Sequence, residues 1–457
     1  MGSVISLIVT FWAGYLIVKK YKPQPVLFVA GLALMFAAVM LGLGTILPVK
    51  EATGSVLVDA FEFIRKTLSS RAAGLGLNIM AVGGFARYMD QIGASRSLVR
   101  LTIKPLLALR SPYLVMAGTW ILGMCLGLAI NSASGLAMLL MVTAFPILVG
   151  LGVSRLSAVA VIATTLCLDW SPSDTGTILA AQNAGLDPVT YWVKYQVPVA
   201  LSVIPVVAIL HFFTQKWMDA REGHVVQAGT AVKVEDKDGA QKPEAPLYYA
   251  ILPIIPLALI LIFSNLWIKE IKMDIIKAMF IGLAIAMVVE YVRTWDGKKV
   301  FSDMQAYFDG LGMQMANVIT LIVAGETFAK GLSTIGTIDT IIQSAQSSGF
   351  GAIGMILVMI AIIAVCSIIM GSGNAPFFAF ASLTPKVAAE MSISPVLMLL
   401  PMHFAASSAR AMSPITAVIV VASGMGGVSP FDVVRRTAIP MAGALVTIVI
   451  TNFMYFY

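Results

Sequence analysis

Charged residues are scarce in this chain. Asp, Glu, Lys and Arg make up 12% of its 457 residues, against 59% hydrophobic residues, whereas they form about a quarter of an ordinary soluble domain. Several apolar runs reach the roughly 18 residues that a helix needs to cross a bilayer. The alternating pattern of a membrane β-barrel is absent. The composition therefore excludes an ordinary soluble protein and predicts an all-α polytopic membrane protein.

Cysteine and histidine are also rare, with three residues of each. Cys125, Cys167 and Cys366 lie inside apolar stretches without metal-binding or redox spacing, so we expect them to pack as small apolar side chains. His403 is the one histidine deep in an apolar segment, and the His-Glu-x-x-His motif of zinc proteases is missing. These absences argue against an intramembrane enzyme and predict neither a cofactor nor a metal site.

A pattern of small, polar and helix-breaking residues occurs twice, once in each half of the chain. Residues 130–135 read Ile-Asn-Ser-Ala-Ser-Gly, and residues 370–376 read Met-Gly-Ser-Gly-Asn-Ala-Pro. Ser171-Pro172 in the first half corresponds to Ser413-Pro414 in the second. In a membrane chain, such paired interruptions are the best sequence pointer to a transport site between two repeats.

Both halves have the same order of elements. Two plain spans, a short amphipathic segment and a third span are followed by a hairpin, a broken helix and a final span. A polar stretch of mixed charge separates the halves, and we expect a solvated cytoplasmic linker there. The predicted domains are a first repeat at 1–214 (scaffold 1–110, transport elements 111–214), a linker at 215–245, and a second repeat at 246–457 (scaffold 246–350, transport elements 351–457).

The predicted hairpins cover residues 112–150 and 351–391, each too long for one span and polar at its centre. Either each forms two full spans with a tight turn, or each is a re-entrant hairpin whose tip stops near the middle of the membrane. Neither tip carries Lys, Arg, Asp or Glu, which favours re-entrant hairpins. The Ser-Pro breaks favour unwound backbone that lines a cavity over simple kinks.

The basic residues predict the orientation of the chain. Lys19, Lys20 and Lys22 place the first loop in the cytoplasm. If both hairpins return to their side of entry, the remaining basic loops also fall inside, and both termini lie in the periplasm. The two halves then cross a bacterial inner membrane in opposite directions, as inverted repeats. The net charge of +7 is scattered among short loops, so lipid, and not nucleic acid, is the expected partner.

Two apolar segments contain charged residues at depth. Arg410 lies far from any predicted membrane end, where a charge is costly and usually functional, and a guanidinium can grip a carboxylate through two parallel hydrogen bonds. We expect Arg410 to contact substrate; the alternative is an internal ion pair with Asp169 or Asp174. Glu326 and Lys330 stand four residues apart, so we expect a structural salt link between them.

The tips and breaks present helix ends and short polar side chains. The N-termini of half-helices suit a carboxylate, because their N–H groups are unsatisfied. Asp169, Asp174 and His403 are candidates to bind a coupling ion, H⁺ or Na⁺, although His403 could equally be a packing histidine. The predicted substrate-binding residues are Asn131, Ser132, Ser134, Gly135, Ser171, Ser173, Ser372, Gly373, Asn374, Arg410, Ser413 and Thr416.

Over nearly its whole length the chain resembles the DcuC family of anaerobic C4-dicarboxylate transporters, and it is most similar to the DcuD-like branch. The resemblance is carried by the Gly-Ser-Gly-Asn-Ala-Pro-Phe run at 371–377, the Ser-Ala-Ser-Gly run at 132–135, and Ser413-Pro414 after Arg410. It implies an inner-membrane carrier of succinate, fumarate or malate. It also implies kinship with the ion-transporter clan, an elevator motion and a homodimer.

The first break departs from this resemblance. Residues 169–174 read Asp-Trp-Ser-Pro-Ser-Asp, at a place where family members vary. Substrate choice and coupling ion could therefore differ. We expect a secondary active transporter or exchanger of C4-dicarboxylates. The rivals are a carrier of another small organic anion, such as a monocarboxylate or a peptide-like acid, and an anion channel, whose flux would not saturate with substrate.

Overall fold

In the computed structural model the chain folds into a bundle of helices. The structure describes residues 2–19, 21–103, 111–224, 245–264, 268, 270–337, 340 and 351–457. No β-strand occurs among these residues, so the predicted all-α class is confirmed.

The helices are numbered in chain order. Those of the first half are α1 (Gly2–Val18), α2 (Pro23–Met40), α3 (Val56–Arg71), α4 (Leu77–Gln91), α5 (Ala94–Ile103), α6 (Pro112–Leu126), α7 (Ala133–Gly150), α8 (Arg155–Ala163), α9 (Thr175–Asn183), α10 (Pro188–Tyr191) and α11 (Val197–Arg221). Those of the second half are α12 (Ile255–Ile262), α13 (Ile275–Thr294), α14 (Gly297–Gln314), α15 (Thr320–Thr334), α16 (Ala352–Met370), α17 (Asn374–Ala381), α18 (Thr384–Glu390), α19 (Val396–Arg410), α20 (Ala417–Gly426) and α21 (Pro430–Phe456).

Large apolar side chains cover much of the outer surface. Phe11 is 75% exposed and Met454 is 76% exposed, and water contact costs roughly 1.5–3 kcal/mol for each such side chain. Lipid removes this cost. Within the described part of the chain, seven helical segments are long and apolar enough to cross a membrane. The chain is therefore a multi-pass membrane protein.

Helices from the two halves pack against each other at two contacts. α2 lies along α15, and α4 lies along α14. At the second contact, a side chain on Gly310 would place its Cβ 2.6 Å from the Gly83 carbonyl oxygen, so only glycine permits this approach. We refer to α1–α5 and α12–α15 as the scaffold helices, and to α6–α11 and α16–α21 as the central helices.

The broken helices are buried among the other central helices. α19 is buried at every residue from Val396 to Ala409, and α8 is buried from Ser157 to Ala163. α11 packs against α21, and α16 packs against α19. The two Ser-Pro segments are therefore enclosed by other helices, which is the condition for unwound backbone at membrane depth.

The predicted linker begins too early. Helix α11 continues to Arg221, because polar residues that suggest a linker are buried and paired. Asp219 is 1% exposed and accepts hydrogen bonds from Arg436 Nη1 at 2.5 Å and Tyr113 Oη at 2.9 Å. An ion pair of this kind offsets the cost of burying each charge. Residues 225–244, the greater part of the predicted linker, lie outside the described residues.

The other predicted elements are present with small changes. Both hairpin segments contain two helical arms, and each Ser-Pro break separates two helices. The second arm of the later hairpin is itself divided, because Pro385 starts α18 and cannot continue α17. How deeply the hairpin tips enter the membrane stays a prediction.

Candidate functional site

The first break lies between α8 and α9. The helix α8 ends at Ala163 and α9 begins at Thr175, and Pro172, which has no N–H group, lies in the unwound segment between them. Trp170 Nε1 donates to the Met124 carbonyl oxygen at 3.0 Å, and Ser171 Oγ donates to the Leu128 carbonyl oxygen at 3.0 Å. The unwound segment is thereby fastened to the end of the first hairpin arm.

The second break lies between α19 and α20. Thr416 Oγ1 donates to the carbonyl oxygen of Arg410 at 2.5 Å, which satisfies one acceptor freed by the end of the helix. Ser413 is 0% exposed, and its hydroxyl has no hydrogen-bond partner among the described residues. A buried hydroxyl without a partner costs about 1–3 kcal/mol, so Ser413 Oγ is suited to a bound ligand.

The two breaks meet at an ion pair. Arg410 Nη2 lies 2.8 Å from Asp169 Oδ1 and donates to the Leu166 carbonyl oxygen at 3.0 Å. Ser407 Oγ donates to Asp169 Oδ2 at 2.9 Å. The alternative considered for Arg410, an internal ion pair, is therefore present in this structure. The side chains of Arg410 and Asp169 remain 13% and 12% exposed, so both can still be reached from outside the protein core.

The tip of the first hairpin joins the first break through side chains. Asn131 Nδ2 donates to Ser173 Oγ at 2.8 Å, and the hydroxyls of Ser171 and Ser173 lie 2.9 Å apart. Asn131 Oδ1 is buried and has no hydrogen-bond partner among the described residues. Ser132 instead caps its own helix, accepting from the Gly135 N–H at 3.1 Å. Asn131 is thus the tip residue that faces the break.

The tip of the second hairpin joins the second break through backbone packing. Gly371 has φ of +64°, a left-handed conformation that favours glycine. A Cβ on Gly373 would lie 2.7 Å from the Ala406 carbonyl oxygen and 3.4 Å from Arg410 Cδ. The tip therefore rests directly on α19 beside the guanidinium side chain.

His403 and Asp174 form the deeper part of the site. His403 Nε2 lies 3.3 Å from Asp174 Oδ2, without the alignment of a hydrogen bond. The imidazole stacks on Phe377 with 4.9 Å between ring centroids, and its Nδ1 lies 3.3 Å from Gln196 Nε2. Asp174 Oδ2 also accepts from the Gly176 N–H at 2.8 Å. His403 is both packed and close to a carboxylate, so its coupling role stays a prediction.

The predicted residues form two contact groups. Ser372 Oγ accepts from the Ala375 N–H at 3.4 Å, and Ser132 contacts Gly135, so these side chains order the tips themselves. The first group contains Asn131, Ser171 and Ser173; the second contains Asp169, Gly373, Arg410 and Thr416, with Asp174 and His403 beside it. Ser134 and Asn374 are partly buried beside the tips, and their contact with substrate stays a prediction.

Gln196 was missed as a site residue. Its side chain is 0% exposed, and Nε2 lies 3.0 Å from Thr177 Oγ1 and 3.3 Å from His403 Nδ1. One signal could have found it, because Gln196 is a polar residue two positions before Pro198 at the start of an apolar span. It links the first break to His403.

The described residues contain no group of three or more His, Cys, Asp and Glu side chains that could hold a metal ion. Asp169, Asp174 and His403 nevertheless place two carboxylates and an imidazole near Arg410. Such a set can exchange a proton, and its oxygens can contact a small hard cation. The expected absence of a cofactor and metal stays a prediction.

Comparison with known proteins supplies the family. The family model described as "C4-dicarboxylate anaerobic carrier", DcuC, matches residues 1–457. The anaerobic C4-dicarboxylate transporter DcuC of Escherichia coli K12 is 36% identical over 454 residues, covering 99% of this chain and 96% of that protein. The Shigella flexneri protein of the same name has the same identity and coverage.

Two solved transporter structures have a fold similar to that of this chain. The YdaH transporter of Alcanivorax borkumensis aligns with a TM-score of 0.60 at 15% identity, covering 94% of this chain and 98% of that chain. MtrF of Neisseria gonorrhoeae, described with a class of antimetabolite efflux pumps, aligns with a TM-score of 0.64 at 13% identity and covers 95% of each chain. The family match and the relatives at 36% identity indicate a transporter and not an enzyme. The chain belongs to the DcuC family of anaerobic C4-dicarboxylate carriers.

Proposed function

We propose that this protein is a secondary active transporter or exchanger of C4-dicarboxylates across the bacterial inner membrane. The observation that carries the proposal is the meeting of both helix breaks at Arg410 and Asp169, 2.8 Å apart. The names of the relatives supply the substrate class. Succinate, fumarate and malate are the expected substrates.

Arg410 is the proposed anchor for one carboxylate. Its Nη2 contacts Asp169 and a backbone carbonyl, and an arriving carboxylate would compete with Asp169 for the guanidinium. Bidentate pairing gives this contact direction as well as strength. Ser413 Oγ and Asn131 Oδ1, both buried without partners among the described residues, would add hydrogen bonds, with Asn131 accepting from a substrate hydroxyl or a protonated carboxyl.

Asp169 is the proposed link to the coupling ion. When substrate takes the guanidinium, Asp169 loses its partner, and an unpaired carboxylate at this depth is costly. Binding H⁺ or Na⁺ would remove that cost, with Asp174 and His403 as the nearby groups that share the ion. Substrate and ion binding would then favour each other, as coupled transport requires.

The same proposal includes two inverted repeats and an elevator motion. The two repeats would have opposite orientations, the first ending with α11 at Arg221 and the second covering residues 246–457, with both termini in the periplasm. Each hairpin tip contacts one of the two helix breaks, and the breaks meet at Arg410 and Asp169, so the site cannot easily split in the middle. The central helices would move as one block along the scaffold helices, which would also form a homodimer. Structures of inward- and outward-facing states would test this; rocking of the two halves without displacement of the site would contradict it.

Counterflow in proteoliposomes tests the transport function. Purified protein in vesicles loaded with unlabelled succinate should accumulate labelled succinate, and fumarate and malate should compete. Accumulation should saturate with substrate and should respond to either pH or sodium. A flux that does not saturate would favour an anion channel. Counterflow of monocarboxylates with no response to succinate would favour a carrier of another organic anion.

A further inference from the structure

An open cavity of about 430 Å³ lies away from the ion pair of the two breaks. It is enclosed by the segment after α2, by α3 and by α15. Its polar lining includes Lys66, Ser70, Arg71 and Lys330. None of these side chains belongs to the predicted substrate site, so the cavity is separate from that site.

Lys330 is the most informative residue of this cavity. It is partly buried, and its Nζ lies 5.8 Å from the centre of the Phe63 ring. Among the described residues, no carboxylate forms an ion pair with it. The predicted link to Glu326 is wrong, because Glu326 Oε1 lies 2.7 Å from Arg71 Nε instead. A partly desolvated ammonium without a carboxylate favours the arrival of an anion.

Arg71 places the cavity at the boundary between scaffold and central helices. Besides Glu326, it contacts Gln182 on α9, with Nη1 donating to Oε1 at 2.8 Å. Asp174 caps the other end of α9, about 12 Å away at 1.5 Å per residue. An anion beside Arg71 would therefore lie one short helix away from the proposed substrate site.

The lining of the cavity carries a small excess of positive charge. Lys66, Arg71 and Lys330 are cationic, while Glu51 and Glu326 are anionic, which leaves a net charge of +1. Lys66 Nζ already lies 2.9 Å from Glu51. Glu326 pairs with Arg71, so the excess positive charge belongs to Lys330, and it attracts a small carboxylate.

In the proposed topology, α2 runs outward from the cytoplasmic loop at Lys22. The cavity beyond its end therefore opens on the periplasmic side.

We propose that this cavity is a second carboxylate site, at which Lys330 and Arg71 hold a dicarboxylate before it reaches Arg410. The inference rests on the proposed function, because a transported dianion is the ligand that it requires. The site would raise the local concentration of substrate at the boundary where the moving block meets the scaffold. It would act on apparent affinity and leave the maximal rate unchanged.

Lys330→Met tests this site, because methionine keeps much of the apolar stem and removes the charge. In proteoliposomes of phosphatidylcholine, the KM for succinate should rise about two- to fivefold, the scale of one exposed ion pair, with Vmax unchanged. Lys330→Arg should retain a KM near that of the unmodified protein. Lys277→Met is the matched control, because Lys277 is a cation that pairs with Asp274 and does not line the cavity.

The possible failures can be told apart. If the unmodified protein shows no dicarboxylate counterflow, the proposed function and this site both fall. If it transports succinate and Lys330→Met leaves KM unchanged, the second site alone is wrong. If Lys330→Met raises the KM for succinate only in vesicles that also contain phosphatidylglycerol, the cavity binds a lipid headgroup and the proposal is wrong. A Lys330→Arg variant as impaired as Lys330→Met would show that packing, and not charge, is at work.

Discussion

The two helix breaks have the same Ser-Pro sequence but opposite charge. The first carries Asp169 and Asp174, while the second carries Arg410. The hairpin tips differ as well, because the first contacts its break through Asn131 and the second through the bare backbone at Gly373. The recurring residues therefore provide helix ends, and the residues that differ between the halves provide recognition.

Removing the guanidinium of Arg410 from the second break should have the largest effect on transport. We expect Arg410→Ala to lower succinate counterflow about 30-fold or more, since truncating one side of a buried charge pair costs roughly 2–5 kcal/mol. Arg410→Lys should also be severely impaired, because an ammonium cannot form the bidentate contact. The measurement is initial counterflow rate per reconstituted protein.

The matched control for Arg410 is Arg435→Ala, which removes a guanidinium that is 77% exposed and pairs with Asp432. It should transport normally. Arg410→Ala combined with Asp169→Ala separates loss of substrate binding from the harm done by an unpaired aspartate. Near-normal transport by Arg410→Ala would remove Arg410 from the substrate site.

Neutralising Asp169 in the first break should change the response of transport to the coupling ion more than it changes the counterflow rate. Asp169→Asn keeps the shape of the side chain and removes its charge, so we expect about a tenfold slower counterflow, a loss of roughly 1.4 kcal/mol, with little remaining response to pH or sodium. Asp432→Asn, at an exposed carboxylate, is the control. An unaltered ion response in Asp169→Asn would show that the coupling ion binds elsewhere.

The two hairpin tips should differ in how well they tolerate the substitution of a glycine by alanine. In Gly373→Ala the new Cβ would lie 2.7 Å from the backbone oxygen of Ala406, whereas in Gly135→Ala it would lie 2.9 Å from Ser132 Oγ and 3.1 Å from Ser132 Cβ, both atoms of one short side chain. We expect Gly373→Ala to lose about 1–3 kcal/mol of stability and most transport. Gly135→Ala should lose less stability, and its effect on transport is a separate question because Gly135 is a predicted substrate-binding residue. Thermal unfolding in detergent and counterflow measure both, and equal tolerance would contradict backbone packing at the second tip.

Cysteines at the tips should respond to substrate. In a background without the three native cysteines, Ser132→Cys should react faster than Ser372→Cys with a polar thiol reagent, because Ser132 is exposed and Ser372 is partly buried. Succinate should slow both reactions. Free reaction from opposite faces, unaffected by succinate, would identify the tips as ordinary external turns.

Ser413→Ala should have the smallest effect on stability. Its hydroxyl is buried without a partner among the described residues, so its removal should change stability by less than about 1 kcal/mol, or increase it. Transport should still fall a few-fold if the hydroxyl contacts substrate. A large loss of stability with intact transport would assign Ser413 a structural role.

Local features of the sequence predicted the positions of the helices and of the two breaks. Long apolar runs identified the helices, and proline at fixed places identified the breaks, because both properties are encoded within a few residues. The depth of Arg410 in an apolar segment also identified it as important. In each case the physical cause lies in the neighbouring sequence.

The partners of these residues could not be predicted in the same way. Asp169 and Asp174 were equal candidates for Arg410, and only the packing of α19 against the first break selects Asp169. Gln196 contacts His403 across 207 positions. Asp219 reads as a linker residue until Arg436 is placed beside it. Such contacts depend on tertiary packing, which no local pattern specifies.

A structure determined with succinate bound would test most directly whether the two breaks form the transport site. We expect one carboxylate within about 3 Å of the Arg410 guanidinium, with the second hairpin tip beside it and the contact to Asp169 shared or displaced. Succinate bound elsewhere, with the pair of Arg410 and Asp169 intact, would contradict this assignment.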